Sequence, residues 1–398
     1  MPGTLLSRIW ASNPAIHAPA RYRRACQYHA FVPIELHTLD LRISGELAGL
    51  ITEAERAVKQ LNDEGGLALA PLARLLLRTE SIASSKVEGM QVGVRELARA
   101  ETRAESGNKT GSTAAEILAN IDAMTLAVDQ AADTEWFSEA EIVAIHERLL
   151  GQSSQQHIAG KIRDNQNWIG GNDYTPCGAD FVPPPPESLD TLLSDLCASI
   201  NDETLPPLVQ AALVHAQFET IHPFDDGNGR TGRALAHVVL RRRGVAPHFL
   251  PPISLIFAKD KNRYISGLTA FRGEDVLKWI EQFAEATFSA AKLAQSYLAA
   301  VQTLQEFWRE QLRAVAAPPR TDSVAWTIIN LLPARPMISA PVAVAATNRA
   351  KSRVYEAIDQ LTAAGVLVPL TTGARNRWWE ANGLLDLIAR LEAGDFAR

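Results

Sequence analysis

The sequence predicts a mainly all-α protein with a short β-hairpin flap set into its helical core and a winged helix-turn-helix at its C-terminal end. Apolar residues recur at helical spacing over Leu41–Leu77, Ala114–Ala132, Ser138–Leu149, Glu187–Ile200, Pro206–Thr220, Gly232–Arg243 and Asn262–Gln311, as they do when one helix face is buried. Between two of those runs lies Gly160–Pro186, where GKIRDNQNWIGGNDYTP alternates in character and gives way to FVPPPPE, the mark of a hairpin followed by a rigid extended segment. Beyond the break AAPPR (Ala316–Arg320), three short helices (Ser323–Leu332, Ala340–Thr347, Lys351–Ala364) precede two strands expected within Val366–Glu380 around Gly373.

This divides the chain into an N-terminal helical segment (1–113), a helical core (114–316) and a C-terminal domain (321–398). A chain of 398 residues, 46% hydrophobic, can bury a substantial core. Acidic residues outnumber basic ones, 45 to 39, so the overall field gives no strong pull toward nucleic acid or anionic lipid. Cys26, Cys177 and Cys197 are widely spaced and odd in number, which argues against a disulfide framework or a CxxC metal site and for a reducing compartment. Pro and Arg interrupt MPGTLLSRIWASNPAIHAPARYRR before an apolar run reaches the roughly 18 residues of a membrane span. The expectation is a cytoplasmic protein with no membrane partner. His146, His215 and His237 fall inside helical patterns without HExxH or paired-Cys spacing; they read as structural and receive no role.

The chemistry concentrates in HPFDDGNGRTGR, His222–Arg233. Gly227 and Gly229 permit positive φ and close backbone approach, and the helix that follows points its unspent N–H groups and positive dipole end at an anion. Arg230 and Arg233, three apart on that helix, can clamp the outer phosphates of a nucleotide. Asp226 is a hard oxygen ligand suited to Mg²⁺. His222, with an ordinary pKa near ~6.5, can accept a proton from an attacking hydroxyl. Asn228 can donate to an α-phosphate oxygen where charge builds up, and Phe224 anchors the turn in the core.

The run matches the signature HxFx(D/E)GN(G/K)RxxR of the Fic family at every defined position, and the chain therefore resembles a Fic protein. The resemblance implies an all-helical Fic-type core, Mg·ATP as co-substrate, and transfer of AMP to a Ser, Thr or Tyr hydroxyl of a target protein with release of pyrophosphate. Carried over by position, His222 is the base, Asp226 the metal ligand, Asn228 the α-phosphate contact, and Arg230 and Arg233 the β/γ-phosphate contacts.

SSKVEG, Ser84–Gly89, resembles the family's inhibitory motif (S/T)xxxE(G/N). Ser84 and Glu88 share one helical face and Gly89 suits the helix end. In such relatives the glutamate pairs with the second arginine of the signature, here Arg233, so ATP binds only unproductively. The Gly160–Pro186 segment matches the family's flap, which places target docking at Gln166, Asn167, Trp168, Ile169, Gly170 and Gly171, where an exposed strand edge can pair with an extended peptide. Asn262–Glu274 occupies the place of the adenine pocket; many relatives carry paired tyrosines there, whereas this chain has Tyr264 followed by Ile265.

In the C-terminal domain, Arg349, Lys351 and Arg353 at the third helix, and Arg375 and Arg377 in the wing, could meet phosphates. Winged helices also serve as protein-interaction modules, and DNA contact is the less favoured reading. A homodimer and self-modification follow from family habit only. Two rival functions stay open: another phosphotransfer on the same fold (phosphate transfer or AMP removal), and a nucleotide-sensing DNA-binding regulator. Gly229, where kinase-like relatives carry Lys, favours AMP transfer.

Overall fold

The computed structural model describes residues 3–63, 70–105, 111–273, 275–370 and 377–395. The chain opens with an antiparallel pair that helical periodicity gives no sign of: β1 (Gly3–Trp10) against β2 (Cys26–Pro33), in register from Gly3↔Pro33 to Trp10↔Cys26. Helices follow: α1 (Gly45–Asp63), α2 (Ala70–Val87), α3 (Val94–Glu105), α4 (Ser112–Asp129) and α5 (Glu139–Leu150). The apolar run Leu41–Leu77 is thus divided between two helices, the second of which continues to Val87. Ser138 and Glu141 form a capping box at the start of α5, satisfying two orphan amides reciprocally. After the flap come α6 (Leu189–Asn201), α7 (Pro207–Ile221), α8 (Asn228–Arg242), α9 (Ile253–Lys259), α10 (Lys261–Arg272) and α11 (Val276–Arg313).

The C-terminal stretch has α12 (Val324–Leu331), β3 (Met337–Ser339), α13 (Ala340–Thr347), α14 (Lys351–Ala363), β4 (Leu367–Pro369), β5 (Trp378–Ala381) and α15 (Leu384–Ala393). The strands form one antiparallel sheet in the order β3-β5-β4. The turn expected at Gly373, together with Arg375, lies outside the described residues, as does Glu274 of the expected adenine-pocket stretch.

The chain divides into two compact units. One comprises Met1–Arg56, Ala119–Pro247 and Asp260–Phe288; the other comprises Ala57–Leu118, His248–Lys259 and Ser289–Arg398. In the first, every residue of α7 from Leu208 to Ile221 is buried, so this helix carries no polar face and its pattern shows only as a solid apolar run with embedded polar groups. Those polar groups are used: Gln210 Nε2 donates to the carbonyls of Ser199 and Asp202, both at 2.7 Å, and Gln217 Nε2 to that of Ile34 at 3.0 Å. α8 packs directly on α7, and a Cβ on its Gly232 would meet Phe218 Cδ1 at 2.9 Å; only glycine permits that approach. Trp279 fills the interior and donates from Nε1 to Ala212 at 2.7 Å.

In the second unit, Leu72, Leu75, Leu76 and Ala83 of α2 belong to the same apolar core as Trp308, Ile338, Trp379 and Leu384. The buried Glu80 on α2 accepts the Ser254 N–H at 2.9 Å and the Ser254 hydroxyl, satisfying the first turn of α9. Among the described residues no helix is long and apolar enough to cross a membrane.

The cysteines require a correction. Cys26 at the start of β2 and Cys177 of the flap form a disulfide, leaving Cys197 free and buried. Spacing could not show this, because the pair is separated by 151 residues and meets only when the hairpin lies on the flap. A bond of this kind persists where the surroundings are oxidising, so the case for a reducing compartment loses its footing. The contact is reinforced by the Phe31 N–H donating to Val182 at 2.9 Å, by Trp10 on Trp168 at 5.6 Å and by Tyr22 stacked on Tyr174 at 5.3 Å. A crosslink closing so long a loop restricts the unfolded chain by about 5 kcal/mol in the chain-entropy account. Calorimetry with and without dithiothreitol is expected to show a lower melting temperature on reduction, and Cys26→Ser to be insensitive to the reductant.

Candidate active site

α7 ends in His222, which caps the helix in the left-handed conformation (φ 50°, ψ 58°) and donates its N–H to Phe218 at 2.9 Å. A non-glycine residue holds this conformation at a cost of roughly 1–2 kcal/mol, so neighbouring contacts must hold it there. The chain then turns through Phe224, fully buried, and Gly227 (φ 79°), the N-cap residue of α8. A Cβ on Gly227 would lie 3.1 Å from His146 Nε2, a tight approach that adds to the preference for glycine set by φ. The first bond within α8 runs from the Thr231 N–H to Gly227 at 3.0 Å; the amides of Asn228, Gly229 and Arg230 therefore point out of the helix end, an anion cradle.

Arg230 and Arg233 are 4% and 2% exposed, buried cations on the helix that presents this cradle. Arg233 Nη1 reaches the Tyr264 hydroxyl at 3.5 Å, and that hydroxyl is 2.9 Å from His215 Nε2. Tyr264 is 6% exposed and its ring packs with those of His215 and Trp279. The structure thus places it as a core residue bracing Arg233, whereas its neighbour Ile265 is exposed.

Asn228 is also engaged differently from expectation. Its Oδ1 accepts the Phe224 N–H at 2.9 Å and its Nδ2 donates to the Phe224 carbonyl at 2.8 Å. The side-chain amide closes the loop on itself. Asp226 is exposed at the lip, with Oδ1 accepting the Gly227 N–H at 2.6 Å. An exposed carboxylate beside an anion cradle fits Mg²⁺, which is commonly bound through one carboxylate plus substrate phosphates.

His146 of α5, given no role by sequence, is built into the loop. Its ring stacks on Phe224 at 3.7 Å, Nε2 lies 2.9 Å from the Asp226 carbonyl, and Nδ1 accepts the Gly160 N–H at 3.0 Å. The Gly160 bond assigns the ring proton to Nε2, which donates to Asp226. Burial, with Arg230 adding to it, pushes His146 down to about 4, so it stays neutral at physiological pH. Nothing in one sequence signals this contact, since its partner is 80 residues away.

The flap is a narrow hairpin in which Ile169 pairs with Phe181, N–H to carbonyl at 2.8 and 3.1 Å. Gly170 and Gly171 (φ 74° and 76°) turn against Asp180 and Ala179 with no room for a Cβ. Trp168 Nε1 donates to Asn172 at 2.6 Å. Gln166 and Asn167 face inward: Gln166 Nε2 donates to Pro183 at 2.9 Å, and Asn167 Nδ2 to Phe224 at 2.9 Å and His222 at 3.2 Å. Arg163, unmarked by sequence, is 4% exposed at the flap's root. In the other unit, Ser84 is buried on α2, and Gly89 (φ 83°) follows the helix end with the Met90 N–H returning to Ser85 at 3.1 Å.

Residues 136–240 match the Fic/DOC family model and residues 48–129 the Fic/DOC family N-terminal model. Among curated proteins, the chain is 32% identical over 176 residues to "Protein adenylyltransferase Fic" of Nematostella vectensis, covering 44% of this chain and 36% of that protein. It is 36% identical over 114 residues to "Protein adenylyltransferase fic-1" of Caenorhabditis briggsae, covering 28% and 20%. The matching stretch thus spans about a fifth to a third of these relatives' length. Among solved structures, a Fic family protein from Desulfovibrio desulfuricans aligns with TM-score 0.52 at 18% identity over 86% of this chain and 98% of that one. Fic-1 of C. elegans aligns with TM-score 0.50 at 24% identity over 65% and 74%. Both likenesses are of fold.

The neutral His146 has a testable cost in acid. Between its ordinary value of 6.5 and about 4, the unfolded chain takes up a proton that the folded chain refuses. Stability is therefore full above pH 6.5 and falls as pH drops toward 4, by about 3 kcal/mol in all. Urea unfolding from pH 7 to 4.5 is expected to show this fall in the parent protein and to lack that component in His146→Gln.

Proposed function

The chain carries the Fic/DOC family domain and that family's N-terminal domain, and on that premise we propose that it moves the AMP of Mg·ATP onto a Ser, Thr or Tyr hydroxyl of a target protein. The observation that carries this reading is a single turn between α7 and α8. It combines an imidazole, three outward amides behind a positive-φ glycine, and a helix bearing two buried arginines. The relatives named protein adenylyltransferase support AMP as the transferred group, and Gly229 in place of the lysine of kinase-like relatives agrees.

Asp226, with the nucleotide, would hold Mg²⁺, which would supply charge neutralisation on the phosphates. The amides of Asn228, Gly229 and Arg230 receive the phosphate oxygens, and Arg230 and Arg233 draw the outer phosphates toward α8. His222 removes the proton from the target hydroxyl as its oxygen bonds to the α-phosphorus. The bond from that phosphorus to the bridging oxygen breaks, and pyrophosphate leaves with the electron pair. Tyr264 acts on the nucleotide through Arg233.

The target docks as an extended segment on the flap. Ile169 spends its N–H and carbonyl on Phe181, and β2 approaches the far side at Val182. The alternation of an antiparallel pair then turns the backbone groups of Trp168 to the opposite side, for an incoming strand. Glu88, with Ser84 and Gly89, is the inhibitory element; the motif supports this, as does the capped helix end at Gly89. Residues 321–398 form a winged helix, supported by three short helices with the sheet β3-β5-β4. Arg349, Lys351 and Arg353 are exposed, and a protein partner is favoured over DNA. A homodimer and self-modification are carried from family habit. The cytoplasmic placement is not carried into the proposal, because two of the three cysteines are bonded.

Glu88→Gly is expected to raise AMP incorporation, read by intact-protein mass after incubation with Mg·ATP, by roughly 5- to 150-fold, the span of a typical coupling free energy. A chelator is expected to stop it. Adding His222→Ala is expected to abolish it, and labelling that persists in the double variant overturns the role of His222.

A further inference from the structure

Four consecutive carbonyls, from Ile221 to Phe224, meet donors from two residues at the root of the flap. Arg163 Nε donates to His222 at 2.9 Å, Arg163 Nη2 to Ile221 at 3.4 Å, and the Arg163 N–H to Pro223 at 2.9 Å. Asn167 Nδ2 donates to His222 at 3.2 Å and Phe224 at 2.9 Å. The remaining guanidinium donors hold the flap itself, Nη1 on Asn165 at 2.8 Å and Nη2 on Pro184 at 2.6 Å. The carbonyls gathered here include the last of α7, the negative end of a fully buried helix, and the residue they surround is the left-handed His222. A planar fork of five donors can serve carbonyls on both sides at once; a lysine ammonium cannot. Burial pushes Arg163 down to about 10, with Asp225 opposing, so it keeps its charge at neutral pH.

We infer that Arg163 is the positioning residue of the base, fixing the His222 main chain in its left-handed turn and tying that turn to the flap, with Asn167 as its second anchor. The inference rests on the reading of His222 as base. It adds that the surface receiving the target and the group deprotonating the target share one strut, so that a docked segment and the imidazole are held in one frame.

The test uses the full chain carrying Glu88→Gly as parent. Arg163→Lys is expected to lower kcat for AMP transfer about 100-fold, the usual effect of misplacing a catalytic group by about an ångström, while the ATP dissociation constant stays within about threefold. The acid limb of the pH–kcat profile is expected to flatten, because the step no longer depends on a well-placed imidazole; a merely structural loss would lower the plateau and leave the limb. Asn167→Ala removes the second anchor without disturbing the guanidinium and is expected to cost roughly tenfold in kcat; it carries the test if Arg163→Lys does not fold. Either folded variant with the parent's kcat, or an Arg163→Lys protein with an intact acid limb, overturns the inference. A parent that binds no nucleotide sinks the functional reading and this inference with it; a parent that labels its target while Arg163→Lys matches it sinks the inference alone.

Discussion

The geometry of the candidate site depends on one reversal of the chain, between the end of α7 and the start of α8. α7 is buried on all sides, so its C-terminal carbonyls cannot be left to water, and α8 must begin within a few residues because Gly232 seats it against Phe218. The left-handed His222, the positive-φ Gly227 and the self-closing amide of Asn228 together achieve a turn that tight. The same turn leaves helix-end amides on one side and an imidazole beside them. The functional groups are those that the reversal itself puts at the surface of the core.

Around this turn the polar residues divide into those that face a ligand and those that hold the ones that do. Phe224 and His146 press the loop from below, with the imidazole kept neutral by burial so that it can donate at Nε2 and accept at Nδ1. Tyr264 stands between His215 and Arg233, touching both through its hydroxyl. Arg163 and Asn167 take the carbonyls. Buried polar groups of this kind stabilise only when each is satisfied, which explains why so much hydrogen bonding surrounds a loop of a few residues.

The flap is held in the same manner. Its inner half, Arg163 to Asn167, is spent on the loop; its outer half is pinned by the hairpin β1–β2 through the Cys26–Cys177 bond and the aromatic pairs of Trp10 and Tyr22. Between these two halves lies the backbone bridge of Ile169 to Phe181. The N-terminal residues that the helical pattern passed over thus serve as a buttress for the flap.

By itself the sequence determined the helical class, the place of the flap and the chemical groups of HPFDDGNGRTGR, because helical period, glycine freedom and the spacing of His, Asp and Arg are local properties that neighbouring residues fix. Tertiary structure decided what each group is used for. Asn228 and Tyr264 look ligand-directed in a string of letters, and the fold adds contacts the letters do not show, to Phe224 for the one and to His215 and Arg233 for the other. His146 and Arg163 look ordinary and become supports, since their partners lie 80 and 59 residues away. The hairpin and its disulfide were illegible too: β1 is mostly exposed, with only Leu6 and Trp10 partly covered, and so shows no clean alternation. The pairing of Cys26 with Cys177 exists only after the fold has brought the hairpin onto the flap.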